Sequence, residues 1–477
     1  MPIFVVGQQF NGFIESDFSG ILGARVQPAA IADSPYKFDF NLLNANYYLT
    51  NNIGFTQKRG EGTELIRFID QKQKFLHANV GFGGLSALLS LPRNQGIGIQ
   101  FKMRAIGSTE GLTSDFISQV NRFSDARFVD NDVINQEGKF AFALWQELAL
   151  TYAFVKKDDG FHRWKVGTTL KFVNPMGSVW SDIQQIDYSV DNVGLVNFSA
   201  FRTQAGYSAN LDEYEQFDGN NEFSGLPKGT GFKPALDIGV VYERVAYRRD
   251  PRGERQTARE KDLTYEFRFG ASITDLGIMK FEQGSAAFST IGVNPGVTNP
   301  GDILDNIGSF RELRDSLETF LQVENKTGSY SISLPTSLNL SYDYNMGNSF
   351  YFGAAARFDL TGLLPTDYRI NYPSSITLTP RYETGHSGLY MPVYINFAGD
   401  TDVGMAIRYG VFTFGTPSFG SLVSKQKKSG GVFLSVSLNQ LKANSKKPYC
   451  FGSSRVGSGF TRTERTPVYK RKKFIFF

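Results

Sequence analysis

Apolar and polar residues alternate along much of the chain with the period of two that is typical of β-strands. The clearest stretches are 163–172, 264–273, 337–344 and 350–360. The apolar positions of the second stretch are Tyr265, Phe267, Phe269, Ala271 and Ile273. The residues between them are polar or small, so the pattern predicts strands with one apolar and one polar face.

Short turn sequences separate consecutive strands. Gly, Asn and Asp tolerate the positive φ that tight hairpin turns need. Such turns are predicted at 92–96, 157–160, 345–348, 384–388 and 398–402. Parallel strands would need long crossover segments, of which few are evident, so an antiparallel meander is predicted.

The whole pattern predicts about 14 strands, with no linker that would separate independent domains. Residues 304–324 are predicted to form an amphipathic helix because apolar residues recur at spacings of three and four, and 114–123 a shorter helix. The polar segment 209–232 and the Arg-rich segment 248–260 are predicted to be loops outside the sheet. The candidate strands, slightly more than 14, lie near 38–49, 80–91, 96–106, 140–155, 162–173, 183–190, 194–203, 234–247, 262–274, 278–288, 336–345, 349–360, 375–397 (two strands), 402–414 and 431–441.

Alternation alone fits both a soluble β-sandwich with a polar solvent face and a membrane barrel with a wet lumen. Strand length favours the barrel, because about ten residues tilted by about 45° cover ~23 Å, near the ~25 Å apolar band of such barrels. Aromatic residues also recur near strand ends, where a bilayer has its interfaces, as Trp164 and Phe172 do. Ionisable residues alternate with apolar ones, and the candidate lumen-facing charges are Lys165, Lys171, Glu266, Arg268, Arg357 and Asp359.

Composition excludes several other protein classes. Apolar residues make up 41% of the 477 residues, yet no run of about 18 uncharged apolar residues occurs, which excludes a transmembrane helix. The many aromatic residues (Phe 43, Tyr 22, Trp 3) argue against a fibrous or disordered chain. A single cysteine, Cys450, excludes a disulfide framework and a cysteine-based metal site.

Catalytic and cofactor-binding motifs are absent from the sequence. His77, His162 and His386 lie far apart, and no His-Glu-x-x-His pattern occurs. Phosphate-binding and dinucleotide-binding glycine loops are absent, and so is the Gly-x-Ser-x-Gly pattern of a nucleophilic serine. We therefore predict no enzymatic activity and no metal or cofactor.

Charge is concentrated at the carboxyl end. The formal net charge is +4, but residues 442–477 contain 10 Lys or Arg and one acid, Glu464, so residues 1–441 carry about −5. This basic tail is predicted to be disordered and solvated, with binding to phosphate or lipid headgroups as the alternative. Nucleic-acid binding is not predicted. Residues 1–7 are either the start of a protein that is not exported or a signal-peptide remnant.

The segment 21–34, Ile-Leu-Gly-Ala-Arg-Val-Gln-Pro-Ala-Ala-Ile-Ala-Asp-Ser, is followed by Phe-Asp-Phe-Asn-Leu at 38–42. These residues, with Asn51-Asn52 and the segment 334–340, resemble an uncharacterised outer-membrane β-barrel family of the Bacteroidota, a domain of unknown function. That family resembles FadL-type and PorV-type barrels distantly. Gln27 stands where the family signature has Asn, and the basic tail and absent signal peptide also depart from it.

The resemblance implies a monomeric barrel of about 14 strands and no established activity. It implies that an N-terminal plug-like segment, 1–35, folds into or under the lumen of a barrel at 36–441, with 442–477 outside. The candidate plug residues are Gln27, Pro28, Ala29 and Asp33.

Two functions fit this architecture in the outer membrane of a Gram-negative bacterium. The first is a FadL-like channel or transporter that admits hydrophobic or amphipathic small molecules past the plug. The second is a PorV-like barrel that docks a secretion or cell-surface protein partner through 209–232, 248–260 and helix 304–324. A soluble β-rich surface protein is the third alternative, and outer-membrane lipid is the expected surrounding of the first two.

Overall fold

The computed structural model describes residues 12–58, 62–65, 74–112, 132–191, 196–214, 226–245, 247–249, 255–257, 265–293, 308–319, 321–397, 401–419 and 426–442. They form a closed antiparallel barrel of 14 strands, as the sequence predicted. Closure follows from the pairing of the first strand with the last, beginning with Tyr36 opposite Leu441. The strands are β1 (Tyr36–Lys58), β2 (Leu76–Gly83, continued by Ser86–Leu91), β3 (Gln95–Glu110), β4 (Asp132–Asp158), β5 (His162–Val190), β6 (Lys233–Val245), β7 (Tyr265–Glu282), β8 (Ser337–Gly347), β9 (Phe350–Asp359), β10 (Ser375–Glu383), β11 (Ser387–Tyr390, continued by Val393–Asn396), β12 (Thr401–Val403, continued by Met405–Tyr409), β13 (Phe412–Thr416) and β14 (Gln426–Leu441).

The two faces of the wall are inverted relative to a soluble protein. On β3, Ile99 and Phe101 are 43% and 41% exposed, whereas Gln100 and Lys102 are 2% and 6% exposed. A soluble sheet would bury the apolar pair, so this alternation gives the barrel an apolar outer face and a polar lumen. Among the described residues, no helix is long and apolar enough to cross a membrane.

The two rims differ in the length of their connections. At one rim, which we call the short-turn rim, hairpins close within a few residues at 92–94, 159–161, 348–349 and 410–411. The opposite, long-loop rim carries the longer connections. Aromatic rings stand on the outer face beside the short-turn rim, and Trp164 contacts Tyr242 with ring centroids 4.9 Å apart. Such rings mark the boundary between the apolar band and water.

The segment 248–260 was predicted to be a loop, but part of it is ordered. Tyr247–Arg249 and Arg255–Thr257 pair as a small antiparallel hairpin, separate from the barrel sheet. It lies in the connection between β6 and β7, which is the longest one at the short-turn rim.

Two strands extend far beyond a bilayer. β4 and β5 have 27 and 29 residues, whereas about ten suffice to cross an outer membrane. The predicted strands 162–173 and 183–190 are therefore one strand, because Pro175 sits at an irregularity of the β4–β5 ladder and not in a turn. The outer half of β5 pairs with Val196–Tyr207, and that strand pairs with Phe288–Val293.

A helix packs on this extension. α1 spans Phe310–Glu318, and the Ser309 hydroxyl accepts a hydrogen bond from the Glu312 amide at 3.1 Å, which caps its first turn. The predicted helix 304–324 is too long at its carboxyl end, because Leu321–Asn325 is a strand that pairs with Phe288–Val293. The predicted helix 114–123 and the tail after 442 lie outside the described residues.

Candidate functional site: the plug and the lumen

Residues 12–35, here called the plug, fill the lumen beside the short-turn rim. They contain two short 3-10 helices, Asp17–Arg25 and Pro28–Ile31, and add no strand to the barrel sheet. Gly20 has φ +59 and ψ −133 inside the first helix, and Pro28 begins the second, so no continuous α-helix forms. The buried apolar side chains of the plug include Ile21, Leu22, Ala24, Ala29 and Ile31.

Ion pairs fasten the plug to the wall at two separate places. Asp33 accepts a hydrogen bond from Arg163 of β5 at 2.7 Å. Asp17 forms a second ion pair with Arg268 of β7. Charge-assisted bonds of this kind are strong where water is excluded.

Hydrogen bonds to uncharged wall groups complete the attachment. The Arg25 guanidinium donates to Asn44 of β1 at 2.8 Å and to Gln100 of β3 at 3.0 Å. The Gln27 side-chain amide donates to two wall carbonyl oxygens, those of Val240 and Ala271, at 3.2 Å each. The plug is thus held from several sides of the barrel by side-chain contacts.

Wall glycines make room for the plug. A Cβ atom added at Gly167 would lie 2.5 Å from the Ala29 amide nitrogen and 2.5 Å from the Pro28 carbonyl carbon. A Cβ atom added at Gly239 would come at least as close to the side-chain oxygen of Gln27. A side chain at either position would collide with the plug, because real Cβ atoms do not approach other atoms so closely.

A charge-balanced layer closes the lumen on the side of β3 to β7. Lys171 lies 2.7 Å from both Asp237 and Asp275, and Arg104 donates to Asp275 at 2.9 Å and to Glu147 at 3.3 Å. Three cations and three carboxylates take part: Lys102, Arg104, Lys171, Glu147, Asp237 and Asp275. Because each charge has a partner, the layer can stay ionised although it is buried.

Further ion pairs surround the plug. Lys165 donates to Glu243 at 2.6 Å, and Arg163 approaches the same carboxylate at 3.4 Å. Asp343 accepts from Arg268 at 3.0 Å and from Arg381 at 2.5 Å.

The lumen retains a cavity between the plug and the segment that joins β9 to β10. Its volume is about 80 Å³. Glu15 of the plug lines one side, and burial raises the pKa of its carboxyl above 4.5, although the nearby Arg357 and Arg381 act in the opposite direction. The remaining lining includes Tyr48, His77, Asn79, Tyr372 and Tyr394.

The predicted plug and charge residues mostly lie at the lumen. Gln27, Pro28, Ala29 and Asp33 belong to the plug contacts above, and Lys165, Lys171 and Arg268 are buried in lumen ion pairs. Arg357 lines the cavity. Asp359 lies at the end of β9, where its carboxylate accepts from the Thr361 amide at 3.0 Å.

Glu266 is the exception among the predicted lumen charges. Its side chain is 48% exposed and pairs with the exposed Arg244 at 3.3 Å. A register shift between Tyr265 and Phe267 in the pairing with β6 breaks the alternation there. Strict period two would put Glu266 on the same face as Arg268, and this bulge moves it to the outer face.

Several lumen charges were missed by the sequence reasoning, among them Arg104, Glu147, Asp237 and Glu243. Arg104 and Asp237 stand between apolar neighbours, which is the same signal that singled out Lys165. Glu147 follows Gln146 and Glu243 precedes Arg244, so the signal is weaker there. Among the described residues, no group of three or more His, Cys, Asp and Glu is arranged to hold a metal ion.

Several solved structures match this chain over most of its length at low sequence identity. The Ralstonia pickettii toluene transporter TbuX matches with a TM-score of 0.41 and 10% identity, covering 92% of this chain and 99% of that one. The Pseudomonas putida toluene transporter TodX matches with a TM-score of 0.35 and 9% identity, covering 87% and 92%. A Pseudomonas aeruginosa FadL homologue matches with a TM-score of 0.22 and 10% identity, covering 91% and 98%.

No curated protein sequence matches the chain. A family profile, described as a family of unknown function (DUF5723), does match, over residues 28–416. This match covers far more than half of the sequence and includes the second helix of the plug and 13 complete barrel strands. The chain therefore belongs to the DUF5723 family.

Proposed function

We propose that this protein is an outer-membrane channel of a Gram-negative bacterium that passes hydrophobic or amphipathic small molecules, with the plug as its gate. One observation carries the proposal: the plug fills one end of the lumen, while a cavity lined by polar and aromatic side chains remains behind it. A protein that only filled its barrel for stability would not need a cavity beside a separable segment.

The way in which the plug is held supports a gate. Its contacts with the wall are hydrogen bonds and ion pairs of side chains, such as Asp33 with Arg163 and Arg25 with Asn44. Bonds of this kind exchange without breaking the barrel sheet, because the plug contributes no strand to it. The barrel can therefore stay closed while the plug rearranges.

The outer face and the rims support the location. Large apolar side chains face outward on the strands, as Ile99 and Phe269 do with 43% and 50% exposure. Barrels of the outer membrane have short turns on the periplasmic side and longer loops outside. The plug then blocks the periplasmic end, and the cavity lies on the extracellular side of the plug, beneath the segment that joins β9 to β10.

A reversible cross-link tests the gate. In a Cys450→Ser background, cysteines replace Val26 of the plug and Ser272 of β7, whose hydroxyl donates to the Val26 carbonyl oxygen. We expect that oxidation lowers the conductance of the purified protein in planar bilayers and that dithiothreitol restores it. Each single-cysteine variant is the matched control and should not respond to oxidation.

Deleting the plug gives the complementary test. A barrel without residues 12–34 should conduct ions better than the full chain and should let small apolar solutes enter liposomes faster. If the deletion variant keeps its heat-modifiable mobility on SDS gels and conducts no better, the plug is not a gate. If cross-linking also leaves the flux unchanged, the channel proposal itself is wrong.

A further inference from the structure

The cavity beside the plug carries one cation that differs from its neighbours. Most buried lumen cations lie within 4.0 Å of a carboxylate, and these are Lys102, Arg104, Arg163, Lys165, Lys171, Arg268 and Arg381. Arg357 lines the cavity and has no carboxylate within that distance in the described part of the chain. Its Nε donates to the Asn339 side-chain oxygen at 3.0 Å. The N–H groups on its two terminal nitrogens can therefore donate hydrogen bonds to a ligand.

Aromatic rings surround the same cavity. The Arg357 guanidinium carbon lies 4.9 Å from the centroid of the Tyr372 ring. The centroids of the Tyr372 and His77 rings are 5.3 Å apart. Tyr48 and Tyr394 form a further edge-to-face pair with centroids 6.4 Å apart. A flat apolar group can pack against such walls at little entropic cost.

Unsatisfied polar atoms also line the cavity. His77 and Asn79 are each only 1% exposed. Among the described residues, the side-chain oxygen of Asn79 makes no hydrogen bond. At least one ring nitrogen of His77 has none either, because the Asn371 backbone can serve only one of the two. Buried polar groups are rarely left unpaired, so each such atom calls for a partner that the protein alone does not provide.

We propose that this cavity is a binding site for a small aromatic carboxylate. The carboxylate would accept two parallel hydrogen bonds from the Arg357 guanidinium, whose planar fork matches its geometry. The ring would pack among Tyr48, Tyr372 and Tyr394, and a polar substituent or a water would satisfy His77 and Asn79. A single unpaired guanidinium matches a single negative charge, which favours a monocarboxylate over a phosphate dianion.

Glu15 sets the affinity of this site. It is the plug carboxyl that lines the cavity, and Arg357 is one of two arginines that act on it electrostatically. When Glu15 is ionised, it competes with a bound carboxylate for Arg357. Ligand binding and the position of the plug are therefore coupled through this one cation.

The inference rests on the proposed channel function, because the cavity would be a binding site along the route of the solute through the lumen. Its test measures binding alone and needs no flux. Isothermal titration calorimetry of the purified full-length barrel in detergent would use benzoate, benzyl alcohol as the uncharged analogue, and phenyl phosphate. We expect benzoate to bind more tightly than the other two.

Three variants assign the binding to the site. Arg357→Gln should weaken benzoate binding by about tenfold or more, the loss expected for a charge-assisted pair, and leave benzyl alcohol unchanged. Arg244→Gln, at an exposed wall position, is the matched control and should have no effect. Glu15→Gln alters only the plug, so it tests the site even if Arg357→Gln fails to fold, and it should strengthen benzoate binding selectively.

The outcomes separate this inference from the channel proposal. Equal binding of benzoate and benzyl alcohol, tighter binding of phenyl phosphate, or no benzoate binding would overturn the carboxylate site, whatever the conductance experiments give. Selective benzoate binding that depends on Arg357 and Glu15, found together with a plug that never opens, would support the site and contradict the channel.

Discussion

One carboxyl group of the plug, that of Glu15, makes the stability of the docked plug depend on pH. Burial raises the pKa of the Glu15 carboxyl above 4.5, so docking of the plug favours its protonated form. A group with a raised pKa in the docked state stabilises that state below its ordinary pKa and loses this contribution as the pH rises through the raised value. Each unit of pKa shift corresponds to about 1.4 kcal/mol. The plug should therefore loosen as the pH increases.

The first prediction follows from this weakening of plug docking at higher pH. Channel conductance of the native protein should increase as the pH rises above the ordinary pKa of a glutamate and Glu15 ionises inside the docked plug. Glu15→Gln cannot ionise, and its conductance should stay low and flat over that range. Planar-bilayer recordings at several pH values would decide, and an equal pH dependence in both proteins would rule out Glu15 as the titrating group.

The second prediction concerns the charge layer. Lys171→Met removes the cation that lies 2.7 Å from both Asp237 and Asp275. Two buried carboxylates then lose a partner, and we expect a loss of about 3–5 kcal/mol in the free energy of unfolding. Equilibrium unfolding in urea of the detergent-refolded barrel measures it. Lys139→Met is the control, because Lys139 is 63% exposed and should cost almost nothing.

At the scale of elements, the alternation of apolar and polar residues was sufficient to predict most of the strands. It failed where a ladder is irregular. Asp275 has φ +59 and its amide donates to the Asp237 carboxylate, so it resembles a turn residue although β7 continues through it. The sequence therefore suggested a break between 274 and 278. Local chemistry cannot distinguish a bulge from a turn, because both need the same residues and only the neighbouring strand decides.

The candidate site was partly predictable for the same reason. The alternation with period two correctly predicts that charges on regular strands, such as Lys165, face the lumen. It fails for Glu266, which lies at a bulge. The cavity residues His77 and Asn79 alternate with apolar residues as other lumen-facing positions do, but the sequence could not show that they meet the β9–β10 connection in the closed barrel. The prediction that long loops dock a protein partner stays a prediction.

The third prediction concerns the fit of the plug as an element. Gly167→Ala places a Cβ atom 2.5 Å from the backbone of Pro28 and Ala29, so the plug must shift. Conductance should rise without loss of the barrel. Gly107→Ala is the matched control, because its nearest neighbour would be a Phe142 ring atom at 3.5 Å, an ordinary contact. Similar conductance in both variants would show that the plug tolerates the added methyl group.

For the molecule as a whole, the outer surface indicates which environment, water or a bilayer, suits the barrel. A wall that exposes Ile99, Phe101 and Phe269 while burying Arg104 and Glu147 is unstable in water, since the apolar face would aggregate. The same wall would be stable in a bilayer: backbone groups pair around a closed sheet, apolar side chains would meet lipid, and most charges meet partners in the lumen.

The fourth prediction tests this location directly. Expressed behind a signal peptide in a Gram-negative host, the protein should fractionate with the outer membrane and run at a different position on SDS gels before and after boiling. The shift arises because a closed barrel resists SDS until heat breaks its continuous ladder of hydrogen bonds. Lys171→Met should lose the shift at a lower temperature than the native chain, since it weakens the lumen layer and leaves the lipid face unchanged. Soluble protein whose mobility does not change on heating would mean that the apolar face is covered by another surface in water, and the channel proposal would fall with it.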